Sequence, residues 1–278
     1  MTFDLDNTLW RTGEVISAAN DALAYYLGEK GIATPVRTEA VMGDLFKNDK
    51  VRYCPDLRVE VTDIEQVTNV DRNSKSDAAG ESTIFIQAGS KKPVLLTQLR
   101  KDALRNILMI HNYYDETSAT IFAEEAFVVW TDARHKAIPK NYATSVLEVM
   151  DSISSLRTSL GHMPVVGAIT DGNSDPRTVP GLGKYFDFVV NAELVGVSKP
   201  DKRVYHAAIS KISEHPALED LFLETMGSFG ADRKFNLELA EDVIGPWWCH
   251  IGDDFFKDCV AAKDLKVSLT LHFRSWVV

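Results

Sequence analysis

The chain has 278 residues, 45% of them hydrophobic and 25% charged, and a formal net charge of −10. A chain of this size buries a sizeable core as one large domain or two moderate ones. Its acidity speaks against nucleic acid or an anionic membrane surface as partner and for small-molecule chemistry.

Cys54, Cys249 and Cys259 show no CxxC spacing, so neither a disulfide framework nor a zinc site is expected, and a reducing compartment is. No apolar stretch reaches the roughly 18 to 20 residues a bilayer span requires, and no signal peptide precedes the first motif. A soluble, cytoplasmic protein is the expectation. In chain order, "FDLDNTLW" at Phe3 to Trp10 comes first and sets Asp4 and Asp6 two residues apart inside an apolar run. A strand ending at Asp4 has only Met1, Thr2 and Phe3 before it, against a usual strand length of about five residues. That predicts a natural chain starting further upstream and keeps an organelle such as a plastid open as the location.

Between Glu14 and Gly31, apolar Val15, Ile16, Ala19, Leu23, Tyr26 and Leu27 recur with a period near 3.6 and the run closes on glycine, which predicts an amphipathic helix. From about residue 50 to 92 the texture changes to short alternating runs, "LRVEV" and "STIFIQ", around the polar "NVDRNSKSDAAGES". This composition predicts a mobile insertion. Helical periodicity returns in "LLTQLRKDALRNILMIHNYY" and "SATIFAEEAFVVWTDARHK", two helices expected to pack as a module.

Past Pro139 the pattern switches. "YATSVLEVMDSISSLRTSL" reads as a helix, "MPVVGAIT" and "FDFVV" as strands, "RVYHAAISKI" as a helix, "WWCHIG" as a strand, "DCVAAKDL" as a helix and "VSLTLHF" as a strand. Uniformly apolar strands alternating with helices predict an α/β fold with a parallel sheet covered on both faces.

In such a sheet reactive groups collect at the carboxyl ends of the strands. Four places carry them here: Asp4, Asp6 and Thr8; Thr170 followed by Asp171, Gly172 and Asn173; Ser198, Lys199 and Pro200; and Asp253, Asp254 and Asp258. A carboxylate such as Asp4 can attack phosphorus and divide one hard displacement into two easier ones. Asp6 can protonate the leaving oxygen and then deprotonate water. Thr170 and Lys199 can meet the charge of a phosphoryl group in transfer, with Thr8, Asp171, Gly172 and Asn173 as further candidates for holding the phosphate. Asp253 and Asp258 offer hard oxygen ligands to Mg2+, with Asp4, the backbone carbonyl of Asp6 and the neighbouring Asp254 as further members of the metal set.

Together "DLDNT", the strand-ending Thr170, "SKP" and "GDDFFKD" resemble the four motifs of the haloacid dehalogenase superfamily. "AITDGNSDPRTVPGLGKYFDFVVNAELVGVSKP" and "HIGDDFFKD" are similar to the branch of bacterial phosphatases that act on the pyrimidine intermediate of riboflavin synthesis. The resemblance implies a Rossmann-like core, residues 1–13 and 138–278, with a mainly helical cap domain, residues 14–137, inserted after the first motif. It also implies a magnesium-dependent phosphomonoesterase with an aspartyl-phosphate intermediate, acting on a small phosphorylated metabolite such as 5-amino-6-(5-phosphoribitylamino)uracil, as a monomer or homodimer. Dehalogenases of the superfamily lack a carboxylate at the place of Asp6, so phosphoryl transfer is expected. A phosphomutase and a catalytically silent binding protein are the alternatives. Asp171 departs from the asparagine common in that branch.

Ordinary structural roles compete at several positions. Asp254 after a strand is a natural helix cap. His250, Trp247 and Trp248 read as packed core residues. Arg100, Arg105, Trp130 and Arg134 could face the substrate, although a solvated helix face is the commoner place for such residues.

Overall fold

The computed structural model describes residues 1–32, 37–54, 94–111, 113–157, 161–218 and 244–272. Its centre is a five-stranded, fully parallel sheet in the order β3-β2-β1-β4-β5. The strands are β1 (Thr2–Phe3), β2 (Gly167–Thr170), β3 (Phe188–Asn191), β4 (Cys249–Gly252) and β5 (Leu269–His272).

The short β1 is the middle strand. Thr2 and Phe3 pair with Gly167 and Ala168 on one side and with His250 and Ile251 on the other, and the Asp4 amide adds a bond to the Ile251 carbonyl. The inner strands are largely apolar because both faces of the sheet are covered there. Successive side chains alternate between two cores: Ala168 joins Phe3, Val166, Trp10 and Met150 of α6 (Val146–Ser155), and Ile169 joins Val190, Tyr205 and Ile209 of α8 (Lys202–Ser213). Strand boundaries are narrower than the apolar runs. Asp187, inside the run expected as a strand, donates its amide to the Val166 carbonyl and accepts the Val166 amide with its side chain, so at this end the side chain supplies one of the two bonds.

The remaining helices are α1 (Thr12–Glu29), α2 (Thr38–Asn48), α3 (Lys50–Tyr53), α4 (Leu96–Ile110) and α5 (Glu116–Ala137). Helices α1, α4 and α5 share an apolar cluster of their own around Leu23, Leu27, Leu104, Leu108 and Phe122. Helix α2, which the sequence reading passed over, packs on α4 with Met42 and Leu45 only half-buried. The short α7 (Ala192–Val195) and α9 (Ala261–Lys263) complete the core, and the helix expected from Asp258 begins earlier, its first part Phe255–Val260 being wound as π-helix. Of the insertion expected over residues 50–92, the part beyond Cys54 lies outside the described residues. No helix among the described residues is long and apolar enough to cross a membrane.

Candidate active site

The carboxyl ends of β1, β2 and β4 open on the same side of the sheet, which brings together residues up to about 250 positions apart. Asp4 follows β1 and is buried, its backbone held by β4. Its Oδ1 accepts from Lys199 Nζ at 2.6 Å and its Oδ2 from Thr8 Oγ1 at 3.2 Å. Thr8 reaches back because Asn7 adopts a left-handed conformation, φ 60°, which folds the segment after the strand into a tight turn. Lys199 Nζ also donates to Asp258 Oδ1 at 2.7 Å, so one ammonium bridges two buried carboxylates.

Oxygens of Asp4, Asp253 and Asp258 lie within 4.8 Å of one another. The three do not have the same freedom. Asp258 Oδ1 also meets His250 Nε2 at 3.2 Å, and its Oδ2 accepts from the Asp254 amide at 3.1 Å. Among the described residues the half-buried Asp253 carboxylate has one long side-chain hydrogen bond, from Thr8 Oγ1 at 3.5 Å. A carboxylate only accepts, so His250 carries its proton on Nε2 and its Nδ1 accepts from the Thr2 hydroxyl at 2.8 Å; Thr2 in turn accepts from Trp248 Nε1 at 2.7 Å. A buried relay from Trp248 through Thr2 and His250 therefore orients Asp258. The sequence offered no signal for it beyond a histidine inside an apolar strand.

Asp6 takes a separate place. Its Oδ1 accepts from Trp10 Nε1 at 3.1 Å and from Thr12 Oγ1 at 3.0 Å. Its Oδ2 approaches Gly172 so closely that a Cβ there would lie 2.5 Å away, with Thr170 Oγ1 at 3.4 Å. A side chain at Gly172 would therefore displace the Asp6 carboxylate, and Thr170 Oγ1 accepts the Gly172 amide at 3.0 Å.

Three expected ligand groups are engaged elsewhere. Asp254 spends its carboxylate on the amides of Phe256 and Lys257, both at 3.0 Å, and caps the following turn, so it stands outside the acidic cluster. Asp171 accepts the Lys199 amide at 2.8 Å and pairs with Lys257 Nζ at 3.0 Å, which clamps the lysine loop to the turn after β4. A carboxylate only accepts hydrogen bonds, so the Asp171 side chain offers nothing to a phosphate oxygen. Asn173 is held between Arg134 Nη1 at 2.5 Å and Thr97 Oγ1 at 2.9 Å. Trp248 is buried as expected, whereas Trp247 is 75% exposed.

The family description "haloacid dehalogenase-like hydrolase" matches residues 1–218. The chain belongs to that family. The 2-haloacid dehalogenase from Pseudomonas syringae pv. Tomato DC3000 is similar in fold, with a TM-score of 0.60 at 21% identity, covering 100% of this chain and 88% of that one. A HAD phosphatase from Thermococcus onnurineus aligns at a TM-score of 0.41 and 13% identity, over 99% of this chain and 86% of its own. No curated protein matches the sequence.

In this haloacid dehalogenase-like hydrolase the electrostatics follow from two carboxylates sharing one ammonium in a buried place. Burial opposes the charge on Lys199, but Asp4 and Asp258 outweigh it and hold the ammonium well above its usual pKa. Burial opposes ionisation of Asp258 too, yet the hydrogen bond from His250 and the charge of Lys199 bring it below the usual carboxylate range. Asp4 has fewer donors and carries the remaining cost: burial, against Lys199 and helped by Asp258 and Asp6, raises it to about 7. Burial, and then the charge of Asp258, raise Asp253 as well. A pocket with an excess of buried oxygen donors and carboxylates held above their normal pKa suits a hard divalent cation.

Beside Asp6 a cavity of about 280 Å³ runs between the sheet and the helices α1, α2, α4 and α5. Asp6, Trp10, Met42, Trp130, Arg134 and Asn173 are among its walls. Arg100 and Trp130, read as candidates for a solvated face, are buried, and the guanidinium carbons of Arg100 and Arg134 lie 3.8 and 4.9 Å from the Trp130 ring centre. Arg105 points away, towards Asp102 at 3.7 Å.

Proposed function

We propose that this hydrolase cleaves small phosphomonoesters through a phospho-aspartate on Asp4. The observation that carries the reading is Asp6: a second carboxylate, outside the acidic cluster, on the cavity wall beside Gly172. Replacement of a halide on carbon has no leaving oxygen to protonate, whereas phosphate ester cleavage does. The acidic cluster agrees, because a nucleophilic carboxylate and a phosphate dianion repel until positive charge is placed between them.

In this reading α1 to α5 form the cap domain over a core made by the rest of the chain. Mg2+ would be held by Asp4 and Asp253, with the Asp6 carbonyl and Asp258 completing the site; when bound it supplies charge to the phosphoryl oxygens and to Asp4. Asp4 attacks phosphorus as the bond to the leaving oxygen breaks, and Asp6 delivers its proton to that oxygen. Asp6 then takes a proton from water, the resulting hydroxide attacks the acyl phosphate, and Asp4 is released with inorganic phosphate. Lys199 keeps Asp4 aligned and offsets charge in both steps. Asp258 acts by holding Lys199.

The pyrimidine leaving group implied by the resemblance would need a ring-stacking surface. Trp130 does not provide it, since the ring is buried and two guanidiniums lie against it. Release of inorganic phosphate from p-nitrophenyl phosphate, together with a panel of phosphorylated metabolites and 2-haloacids, tests the reading. Phosphate release with magnesium is expected; halide release without phosphate release would overturn it.

A further inference from the structure

Arg134 stands on the cavity wall near the end of α5 and is 5% exposed. A guanidinium removed from water to this degree is costly unless an anion meets it. No carboxylate among the described residues lies within ion-pairing distance. Its contacts are neutral: the side-chain and backbone oxygens of Asn173 at 2.5 and 3.4 Å, and His135 Nε2 at 3.3 Å. Its Nε has no hydrogen-bond partner among the described residues. Asp6 and Glu193 reach it only through their longer-range charge.

Its neighbour shows the contrast. Arg100 lies against the same Trp130 ring but is paired with Glu39 at 3.3 Å and bonded to Asn20 at 3.4 Å. Among the described residues one of the two guanidiniums is paired with a carboxylate, and the other has only the Asn173 oxygens, His135 and the Trp130 ring against it. Burial drags Arg134 down to about 10, far short of losing its proton at neutral pH.

The cavity has a direction. It includes Asp6 but not Asp4, so it extends from the proton donor away from the nucleophile, which is where the leaving group must lie if the phosphatase reading holds. At about 280 Å³ it lies just below the range for ligand pockets, roughly 300 to 1,000 Å³, which limits it to a small leaving group. Trp10, Val15 and Met42 make its sides apolar.

We propose that the substrate is a phosphorylated small hydroxy acid, whose carboxylate is bound by Arg134 and whose ester oxygen is presented to Asp6. This rests on the phosphatase reading and narrows it. The carboxylate supplies the anion that Arg134 lacks, in a dry site where a forked, charge-assisted contact is strong. A cationic or bulky leaving group is disfavoured by the same charge and the same walls.

The test is a charge series on one carbon skeleton, assayed with magnesium on the full chain: 2-phosphoglycolate, ethyl phosphate and O-phosphoethanolamine. The specificity constant should exceed that for ethyl phosphate by about tenfold or more for phosphoglycolate, and fall below it for phosphoethanolamine. Arg134→Met should reduce the phosphoglycolate-to-ethyl-phosphate ratio to about one, and Arg134→Lys should retain part of it by keeping the charge without the fork. If the methionine variant does not fold, product inhibition of the parent decides: glycolate should compete with ethyl phosphate and ethanolamine should not. Equal specificity constants across the series, or a preference that survives Arg134→Met, overturns the proposal while leaving the phosphatase reading intact. Release of phosphate from none of these esters, nor from p-nitrophenyl phosphate, overturns both.

Discussion

A Cβ placed on Gly252 would lie 2.1 Å from Cγ of Asp258. The last residue of β4 is therefore a glycine because the carboxylate that anchors Lys199 passes directly over it. Gly252→Ala should force Asp258 and the turn behind it outward, since neither the strand nor the relay through His250 has room to give. We expect a loss of about 1 to 3 kcal/mol in stability and turnover reduced at least about tenfold, read by thermal denaturation and phosphate release on the same preparation. Full activity in a stably folded alanine variant would show that Asp258 does not need this position.

The two adjacent carboxylates after β4 should separate cleanly. Asp253→Asn is expected to raise the magnesium concentration for half-maximal activity by about tenfold or more. Asp254→Asn should change it by less than about threefold, because asparagine can also accept the Phe256 and Lys257 amides. Titrating magnesium against phosphate release in both variants decides, and a larger effect at Asp254 would reverse the assignment.

Metal removal should abolish turnover and magnesium restore it, while calcium inhibits. Calcium prefers more oxygen ligands at longer distances and would misplace Asp4 relative to phosphorus. Activity with calcium alone at the level seen with magnesium would refute this.

Asp6→Ala should slow alkyl phosphates more than p-nitrophenyl phosphate, whose leaving group needs little protonation. A gap of about tenfold between the two losses is expected. Equal losses would mark Asp6 as structural, through its bonds to Trp10 and Thr12.

Asp4→Asn should leave less than about one per cent of turnover, after control for deamidation. It should also change the pH dependence of stability with a chelator present. Asp4 is raised to about 7 in the folded chain, so the unfolded chain ionises first as pH rises and the folded state loses stability between its ordinary pKa and about 7. The asparagine variant lacks that loss, and its melting temperature should gain on the parent's across this window. A difference independent of pH would contradict the burial-driven shift.

Much of the site was legible before any coordinates. Asp4, Thr8, Asp253 and Asp258 converge as their positions after apolar runs suggested, because a parallel sheet brings all its strand ends to one side, and Lys199 joins them from a loop that follows no such run. The misplacements have one cause. Asp171, Asp254 and Asn173 are the same residue types in the same turns, and only the distances to Lys257, to two free amides and to Arg134 divert them to other partners.

The sequence by itself determined the family, the parallel sheet and the order of the reactive groups, since alternation and apolar runs record burial along a single element. The tertiary structure alone decided which groups share a charge. That Lys199 bridges Asp4 and Asp258, that His250 is wired to Trp248 through Thr2, and that Arg100 has Glu39 while Arg134 has no paired carboxylate among the described residues all depend on separations between residues far apart in the chain. Electrostatic energy depends on those separations and on how much water remains between the groups, and neither is encoded in local spacing.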